Sequence, residues 1–226
     1  MGRVALLTQP WQSRTMDAAL LRLCVTDLAA SRALEWAPHV TAAMAEFAID
    51  TPVRQAAFLA QVGHESSSFA KLVESLNYSV DGLRATFPAR VAQVQAQALG
   101  RKPGESVVPV ERQVQIAQLA YGGRMGNSAP TDGFRYRGRG GIQITGKDNY
   151  RECGAALGLD LVNAPELLQV LPGAIRSAGW FWSTHGCSAL ADSGDFVGLT
   201  RRINGATKGL DDRQARWYVA KRALGV

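Results

Sequence analysis

The sequence predicts a mainly α-helical, two-lobed fold with a small β element, and three observations support this prediction. Apolar residues recur at helical spacing over most of the chain. Strand-like alternation is confined to residues 69–80 and 142–144. A long glycine-rich loop over residues 122–141 separates two groups of helices, and loops of that length are usually functional.

We expect one domain, residues 1–226, in which both ends of the chain contribute to the larger lobe. That main lobe is predicted at about residues 1–80 and 131–226, and a smaller helical lobe at about 81–130. A cleft between them would be lined by two glutamates and the glycine-rich loop. No linker of low complexity sets off a separate binding module.

The individual elements follow from caps, breakers and periodicity. Residues 16–36 predict one helix, or two short helices broken near Asp27, and Pro38 is expected to end that pattern. Thr51 and Ser79 precede helical segments as capping residues. The further predicted helices cover 39–49, 53–66, 80–87, 89–100, 109–121, 147–157, 165–170, 172–184, 195–203 and 211–223.

Composition narrows the class of protein. The net charge is +6, from 25 basic and 19 acidic residues, which favours attraction to polyanionic surfaces. We find no nucleic-acid-binding motif, so a nucleic-acid partner is not expected. Apolar runs are too short for a transmembrane helix. The apolar stretch at the N-terminus is also too short for a secretory signal. The chain is therefore expected to be made and kept in the cytoplasm.

The cysteines predict buried thiols, because Cys24, Cys153 and Cys187 are odd in number and widely spaced. No metal site is expected, since Ser68 stands where a zinc peptidase helix would need its second histidine after His64.

Glu65 is the first candidate for chemistry. Phe58, Val62 and Glu65 fall at i, i+4 and i+7, so this carboxyl shares a helix face with core residues. Apolar surroundings and a helix C-terminus both disfavour the anion, which suits a proton donor. Glu74 follows nine positions later, and a pair of carboxyl groups is what glycoside hydrolysis requires.

Several motifs resemble glycoside hydrolase family 19, which holds plant-type chitinases and bacteriophage endolysins. His64-Glu65-Ser66 is similar to the family's His-Glu-Thr/Ser signature, and residues 136–146 resemble its Gly-Arg-Gly-x-Ile-Gln run. Residues 76–79 resemble the phage branch, which lacks the disulfides and long loops of the plant enzymes. The likeness runs from about Ala42 to Val226 and implies a lysozyme-like, helix-rich fold.

The resemblance implies that Glu65 is the general acid and Glu74 the general base of an inverting reaction, without a cofactor. Inversion requires a separation of about 6.5–9.5 Å between the carboxyl groups, against about 5–5.5 Å for retention. The alternative for Glu74 is that it only tunes the site. Ser67 and Ser68 stand where the signature often has glycine, so we expect the turn after Glu65 to differ from the family's.

Gln143 is a candidate sugar-binding residue on physical grounds. The alternation of Ile142, Gln143 and Ile144 directs the amide away from its apolar neighbours, and an amide both donates to and accepts from sugar hydroxyls. A phosphate-binding loop is the competing interpretation, but the strand-before, helix-after context of such a loop is missing.

The other site residues come from the resemblance alone. Asn127 would help to hold the water, Asn204 would contact substrate, and Arg213 would pair with the acid cluster unless it is a surface arginine. Tyr150 also fits the family run, with core packing as the alternative. The full predicted substrate-binding set is His64, Tyr78, Asn127, Tyr136, Gln143, Asn204 and Arg213.

These features predict a monomeric peptidoglycan hydrolase of the endolysin type, cleaving β-1,4 bonds between amino sugars. A holin partner would release it from the host cytoplasm to the periplasmic wall. The alternatives are a chitinase with the same machinery, a lytic transglycosylase in which Glu74 is dispensable, and an inactive wall-binding protein.

Overall fold

The computed structural model describes residues 16–226, which form α-helices joined by turns and loops. Residues 1–15 of the predicted main lobe lie outside the described range. The described α-helices are α1 Ala18–Cys24, α2 Ala30–Glu46, α3 Pro52–Glu65, α4 Val80–Thr86, α5 Gln93–Leu99, α6 Val110–Tyr121, α7 Asp132–Arg135, α8 Lys147–Leu157, α9 Gly173–Thr184, α10 Cys187–Asp192, α11 Phe196–Asn204 and α12 Leu210–Leu224, and a 3-10 helix spans Pro165–Gln169.

The central helix of the main cluster is α3, and the sequence explains where it begins. The Thr51 hydroxyl accepts a hydrogen bond from the amide of Arg54 at 3.2 Å, and Pro52 occupies the first turn. The inward face buries Phe58 and Val62 completely. Phe58 meets Trp182 of α9 edge to face, with ring centroids 5.4 Å apart. Helix α12 packs along another side of α3.

Three hydrophobic clusters organise the described residues. The largest surrounds α2, α3 and α9. A second is built from residues between Leu76 and Phe134 and includes α4, α5 and α6. The third joins α8 to α9 around Tyr150 and Trp180. The predicted smaller lobe, about 81–130, overlaps the second cluster, while its boundaries stay a prediction.

The β structure within residues 16–226 consists of isolated antiparallel bridges, Val73 to Arg139 and Arg139 to Ile144, with one parallel bridge from Ser79 to Arg101. The first two lie beside Glu74, where the sequence predicts a small β element. The mainly helical fold class is confirmed.

Two expectations about elements were wrong. Pro38 does not end a helix but lies within α2, and the helix predicted over 39–49 is part of α2. Proline has no N–H group, so it cannot donate to the carbonyl of Leu34 four residues earlier. Leu34 is 70% exposed, so this missing bond lies on the solvent side of α2. Helices α7 and α10 were missed, α7 within the predicted loop 122–141, since four and six residues are too few for a periodic signal.

All three cysteines are buried free thiols, as predicted. Burial raises the pKa of Cys24, Cys153 and Cys187 to about 12, so none is a ready nucleophile. None of the helices between residues 16 and 226 is both long and apolar enough to cross a membrane.

Candidate active site

Glu65 is the last residue of α3, in agreement with its predicted place near the C-terminal end of that helix. Its carboxyl oxygen Oε1 accepts a hydrogen bond from the guanidinium of Arg213, and the Glu65 side chain keeps 18% of its surface exposed. Arg213 itself is 1% exposed. The expectation of purely apolar surroundings for Glu65 is therefore wrong, because α12 brings a buried positive charge to this carboxyl. The expectation that Arg213 lies with the acids, and not at the surface, agrees with this placement.

Arg213 is held by other groups besides Glu65. It donates to the amide oxygen of buried Gln61 at 2.5 Å and, through Nε, to the carbonyl of Lys208 at 3.1 Å. Gln61 in turn donates to the hydroxyl of buried Thr200 at 3.0 Å. The guanidinium is thus fixed by side chains from α3 and, indirectly, α11.

His64 is paired with a carboxylate of the same helix that carries Arg213. Its Nδ1 lies 2.6 Å from Oδ2 of Asp212, which also accepts from Arg216 at 2.8 Å. Burial raises the pKa of Asp212, but the hydrogen bonds and charges of His64 and Arg216 outweigh this and leave the pKa below its usual value. The His64 side chain is 25% exposed, so its predicted sugar contact depends on the part of the ring that Asp212 leaves free.

The turn after Glu65 has an unusual backbone. Ser67, Ser68 and Phe69 all adopt positive φ, at 49°, 55° and 64°. The left-handed backbone conformation is unfavourable for every residue except glycine, because a Cβ atom clashes with the following carbonyl oxygen. Ser66 closes this turn, because its hydroxyl donates to the Val62 carbonyl at 2.6 Å and accepts from the Phe69 amide at 2.9 Å.

Glu74 lies on the irregular segment that follows, and it is anchored in both directions to Gly138. Its amide donates to the Gly138 carbonyl at 2.8 Å, and its Oε2 accepts from the Gly138 amide at 3.2 Å. Its Oε1 accepts from the hydroxyl of Tyr121 at 2.6 Å. Burial raises the pKa of Glu74 above its usual value, although Tyr121, Gly138 and the charge of Arg137 act to lower it.

The glycine-rich loop connects the two acid-bearing segments. Gly138 contacts Glu74, and three residues later Gly141 packs against the side chain of Val62, where an added Cβ would come within 3.0 Å. Val62 lies three residues before Glu65 on α3. At Gly138 a Cβ would come within 2.4 Å of the Gln143 amide oxygen, so a larger residue there would displace the Gln143 side chain.

Gln143 and Asn204 keep side chains that are accessible to solvent. Gln143 is half-buried between Ile142 and Ile144, which are both buried, but residues 141–143 form a turn and not the strand that the alternation predicts. Asn204 ends α11 and is exposed. Tyr78 is half-buried, and burial, reinforced by the charge of Glu74, raises its pKa to about 12.

Two predicted substrate contacts are corrected by the structure. Asn127 is 1% exposed, and its amide donates to the Tyr121 carbonyl at 3.1 Å and accepts from the Lys147 amide at 3.0 Å, so it links α6 to α8. Tyr136 is 2% exposed, with its ring in the third cluster and its hydroxyl donating to the Val162 carbonyl at 3.0 Å. The polar groups of both side chains form hydrogen bonds with the protein's own backbone and are not available to a substrate.

Tyr150 takes the core-packing role that was its alternative. It is fully buried, meets Tyr136 edge to face and donates from its hydroxyl to the Arg137 carbonyl at 2.6 Å. It therefore supports the glycine-rich loop from behind.

Sequence reasoning missed four residues of the site, which are Gln61, Tyr121, Thr200 and Asp212. Gln61 had a usable signal, since it lies one helical turn before Glu65 on the same face. Tyr121 had none, since it lies 47 positions after the acid that it contacts. Within residues 16–226, no group of His, Cys, Asp and Glu side chains is arranged to hold a metal ion.

Comparison with known proteins agrees with this architecture. Residues 112–195 match the family model described as chitinase class I. A glycosyl hydrolase family 19 domain-containing protein of Haemophilus influenzae is 40% identical over 164 residues, covering 71% of this chain and 75% of that protein. Chitinase 11 of Oryza sativa is 58% identical over 50 residues, which cover 22% of this chain and only 20% of the plant protein.

Solved structures share the fold. Chitinase C from Streptomyces griseus superposes with a TM-score of 0.59 at 20% identity, covering 94% of this chain and 93% of that one. A class IV chitinase of family 19 from Zea mays superposes with a TM-score of 0.51 at 22% identity, covering 83% of this chain and 79% of that one. At these identities the likeness concerns the fold alone.

The helical fold and the sequence relationship together define a chitinase-like glycoside hydrolase. More narrowly, the chain belongs to glycoside hydrolase family 19.

Proposed function

We propose that this enzyme hydrolyses β-1,4 bonds between amino sugars by inversion, with Glu65 as general acid and Glu74 as general base. The observation that supports the pair is the contrast in surroundings. Glu65 lies against a buried guanidinium, whereas Glu74 is half-buried and accepts hydrogen bonds from a phenol and a backbone amide. Two carboxyl groups in unlike surroundings are typical of acid–base pairs in glycosidases.

Glu74 suits the role of base. Its raised pKa makes it a better proton acceptor than an exposed glutamate. The hydrogen bonds from Tyr121 and Gly138 both point toward its oxygens and so favour the ionised form that a base needs. Glu65 offers Oε2, which accepts no hydrogen bond from the described residues, to the leaving oxygen of a sugar.

The contact between Arg213 and Glu65 favours the reversed roles, because a guanidinium stabilises the ionised form that a base requires. Substrates with different leaving groups distinguish the two assignments. A dinitrophenolate leaves without a proton, so the variant that lacks the acid should keep activity on a dinitrophenyl chito-oligoside and lose it on an unactivated sugar chain.

We expect Glu65→Gln to retain activity on the activated substrate and Glu74→Gln to lose it, with both losing about 10²–10⁴-fold on the natural chain. The opposite pattern would exchange the two roles. Retention of full activity by Glu74→Gln on the natural chain would reject the two-carboxylate mechanism and leave Glu74 as a tuning residue.

For the substrate, we propose the glycan strands of peptidoglycan. The net charge of +6 favours approach to an anionic wall, which chitin is not. Chitin is the second candidate, because the relatives and fold neighbours named above include chitinases. The same acid pair would serve either polymer, so the difference lies in recognition and not in chemistry.

Mass spectrometry of the released fragments tests the substrate. Wild-type enzyme is incubated with Gram-negative sacculi and, separately, with N-acetylglucosamine oligomers, with Glu65→Gln as the inactive control. Hydrated reducing muropeptides are the expected product. Cleavage of the oligomers alone would make the enzyme a chitinase, anhydro-muropeptides would indicate a lytic transglycosylase, and no cleavage of either would leave a wall-binding protein.

We further propose a role in host lysis with a holin as partner, on the strength of the likeness of residues 76–79 to phage enzymes. Expression in a bacterium tests this. Cultures should lyse when a pore-forming membrane protein is co-expressed and should keep growing when the enzyme is expressed alone.

A further inference from the structure

A chain of hydrogen bonds runs from α11 through α3 to the carboxyl of Glu65. The Thr200 hydroxyl on α11 accepts a hydrogen bond from the side-chain amide of Gln61 at 3.0 Å. The amide oxygen of Gln61 accepts a hydrogen bond from one NH2 group of Arg213 at 2.5 Å. The other NH2 group of the Arg213 guanidinium donates to the Glu65 carboxyl. Gln61 and Thr200 are 0% exposed and Arg213 is 1% exposed, so bulk water does not compete for these bonds.

The direction of each bond in this chain is determined by chemistry. The Thr200 hydroxyl donates to the Phe196 carbonyl at 3.0 Å, so its oxygen is the acceptor for Gln61. Gln61 must then present its amide nitrogen to Thr200 and its oxygen to Arg213. A guanidinium has donors only, so a flipped Gln61 would set its NH2 group against the NH groups of Arg213. Thr200 therefore selects the rotamer of Gln61 that Arg213 requires.

Arg213 has few other restraints. Its Nε donates to the Lys208 carbonyl at 3.1 Å, and among the described residues Gln61 and Glu65 are the side chains that accept from it. If Gln61 turned away, the guanidinium could rotate about its remaining bonds, and the Glu65 carboxyl would follow. An acid that moves by about 1 Å relative to the leaving oxygen can lose about 100-fold in rate.

We propose that Gln61, aligned by Thr200, is a positioning residue that fixes Arg213 and thereby orients the Glu65 carboxyl for proton transfer. This inference rests on the proposed role of Glu65. It assigns a function to a buried pair that does not touch the substrate, and the effect should fall on turnover and not on substrate binding.

The test uses Thr200, because its replacements hardly change the volume of the core. Thr200→Val removes the hydroxyl and keeps the shape, whereas Thr200→Ser keeps the hydroxyl. We expect Thr200→Val to lower kcat about tenfold with KM changed less than about twofold, and Thr200→Ser to restore most of kcat. Thermal unfolding of both variants shows whether each one folds like wild type.

A double-mutant cycle separates this role from general core packing. Gln61→Met removes the acceptor for Arg213, so Thr200→Val should cost almost nothing further in that background. Full additivity of the two losses would overturn the proposal, as would a normal kcat in Thr200→Val. An equal fall in kcat for Thr200→Ser and Thr200→Val would also reject it, because the hydroxyl would then be irrelevant.

The control variant Glu65→Gln distinguishes failure of this inference from failure of the proposed function. If Glu65→Gln stays fully active, the acid has been misassigned and both ideas fall. If Glu65→Gln is inactive while Thr200→Val and Gln61→Met turn over normally, Glu65 remains the acid and only the positioning role of Gln61 is rejected.

Discussion

The two glutamates of the site are held by opposite means. Glu65 ends a helix with a buried face and is held by a buried charge, Arg213, from another helix. Glu74 lies on an irregular segment and is fixed by neutral groups, the backbone of Gly138 and the hydroxyl of Tyr121. One carboxyl is therefore positioned by an ion pair and the other by hydrogen bonds from neutral groups.

Because the two carboxyl groups are held differently, mutations of their partners should have different effects. Removal of a partner from a buried ion pair leaves an uncompensated charge, which is costly for folding. Removal of a neutral hydrogen-bond donor costs about 0.5–1.5 kcal/mol net and mainly changes how readily the remaining carboxyl ionises. The Glu65 side should thus respond in stability, and the Glu74 side in pH dependence.

The largest effect is expected for Arg213→Met. The loss should be about 3 kcal/mol of unfolding free energy, because Glu65 loses its counter-ion and the Gln61 oxygen loses its donor in a buried setting. Urea unfolding monitored by circular dichroism measures it. Activity should also fall sharply, since the carboxyl of Glu65 is no longer oriented.

The double variant Arg213→Met/Glu65→Gln provides the control. Without the unpaired carboxylate, part of the lost stability should return, so the double variant should unfold at higher urea than Arg213→Met alone. A double variant that is less stable than the single one would show that Arg213 acts through packing and not through charge.

A smaller effect, confined to pH dependence, is expected for Tyr121→Phe. The Tyr121 hydroxyl lowers the pKa of Glu74, so its removal should raise that pKa further. A base must be ionised to act, so the low-pH limb of the kcat/KM profile should move to higher pH. The high-pH limb should stay in place.

Tyr78→Phe is the matched control for this variant. Both rings meet Phe87 edge to face, at 5.6 Å for Tyr78 and 6.0 Å for Tyr121, but of these two hydroxyls only that of Tyr121 donates to Glu74. The low-pH limb of Tyr78→Phe should therefore move less. An equal shift of the low-pH limb in both variants would show that the effect comes from the aromatic packing around Phe87 and not from the Tyr121 hydroxyl.

The same contrast shows how far sequence reasoning could reach. The place of Glu65 was predictable because it depends on periodicity within one helix and on the capping signal at Thr51. The surroundings of Glu74 were not, because Tyr121 and Gly138 lie 47 and 64 positions away and no local pattern links them. Local interactions are readable in sequence, whereas partners brought together by packing are not.

The family likeness had a different limit. It indicated which motifs lie near the site but not which way their side chains point. Asn127 and Tyr136 both belong to such motifs, yet their polar atoms bond to the protein's own backbone. Arg213 was placed correctly with the acids, but the sequence could not show that Gln61 is the residue that holds it.

The smallest expected effect concerns the turn that follows Glu65. Ser67 is exposed and has a φ of 49°, a conformation that glycine adopts at much lower cost. Ser67→Gly should raise the free energy of unfolding by about 0.5–1 kcal/mol, after the greater chain entropy of glycine is subtracted. Differential scanning calorimetry should show this as a rise of about 1–4 °C.

Ser67→Ala is the matched variant, because it also lacks the hydroxyl but retains Cβ. It should leave the melting temperature close to that of wild type, and an equal rise in both variants would assign the gain to the hydroxyl and not to the backbone. Activity of Ser67→Gly should stay within about twofold of wild type, because the bonds that close this turn belong to Ser66. A large loss of kcat with a stabilised fold would instead show that the left-handed backbone at Ser67 helps to aim Glu65, and rigidity on the Glu65 side would then extend beyond the ion pair.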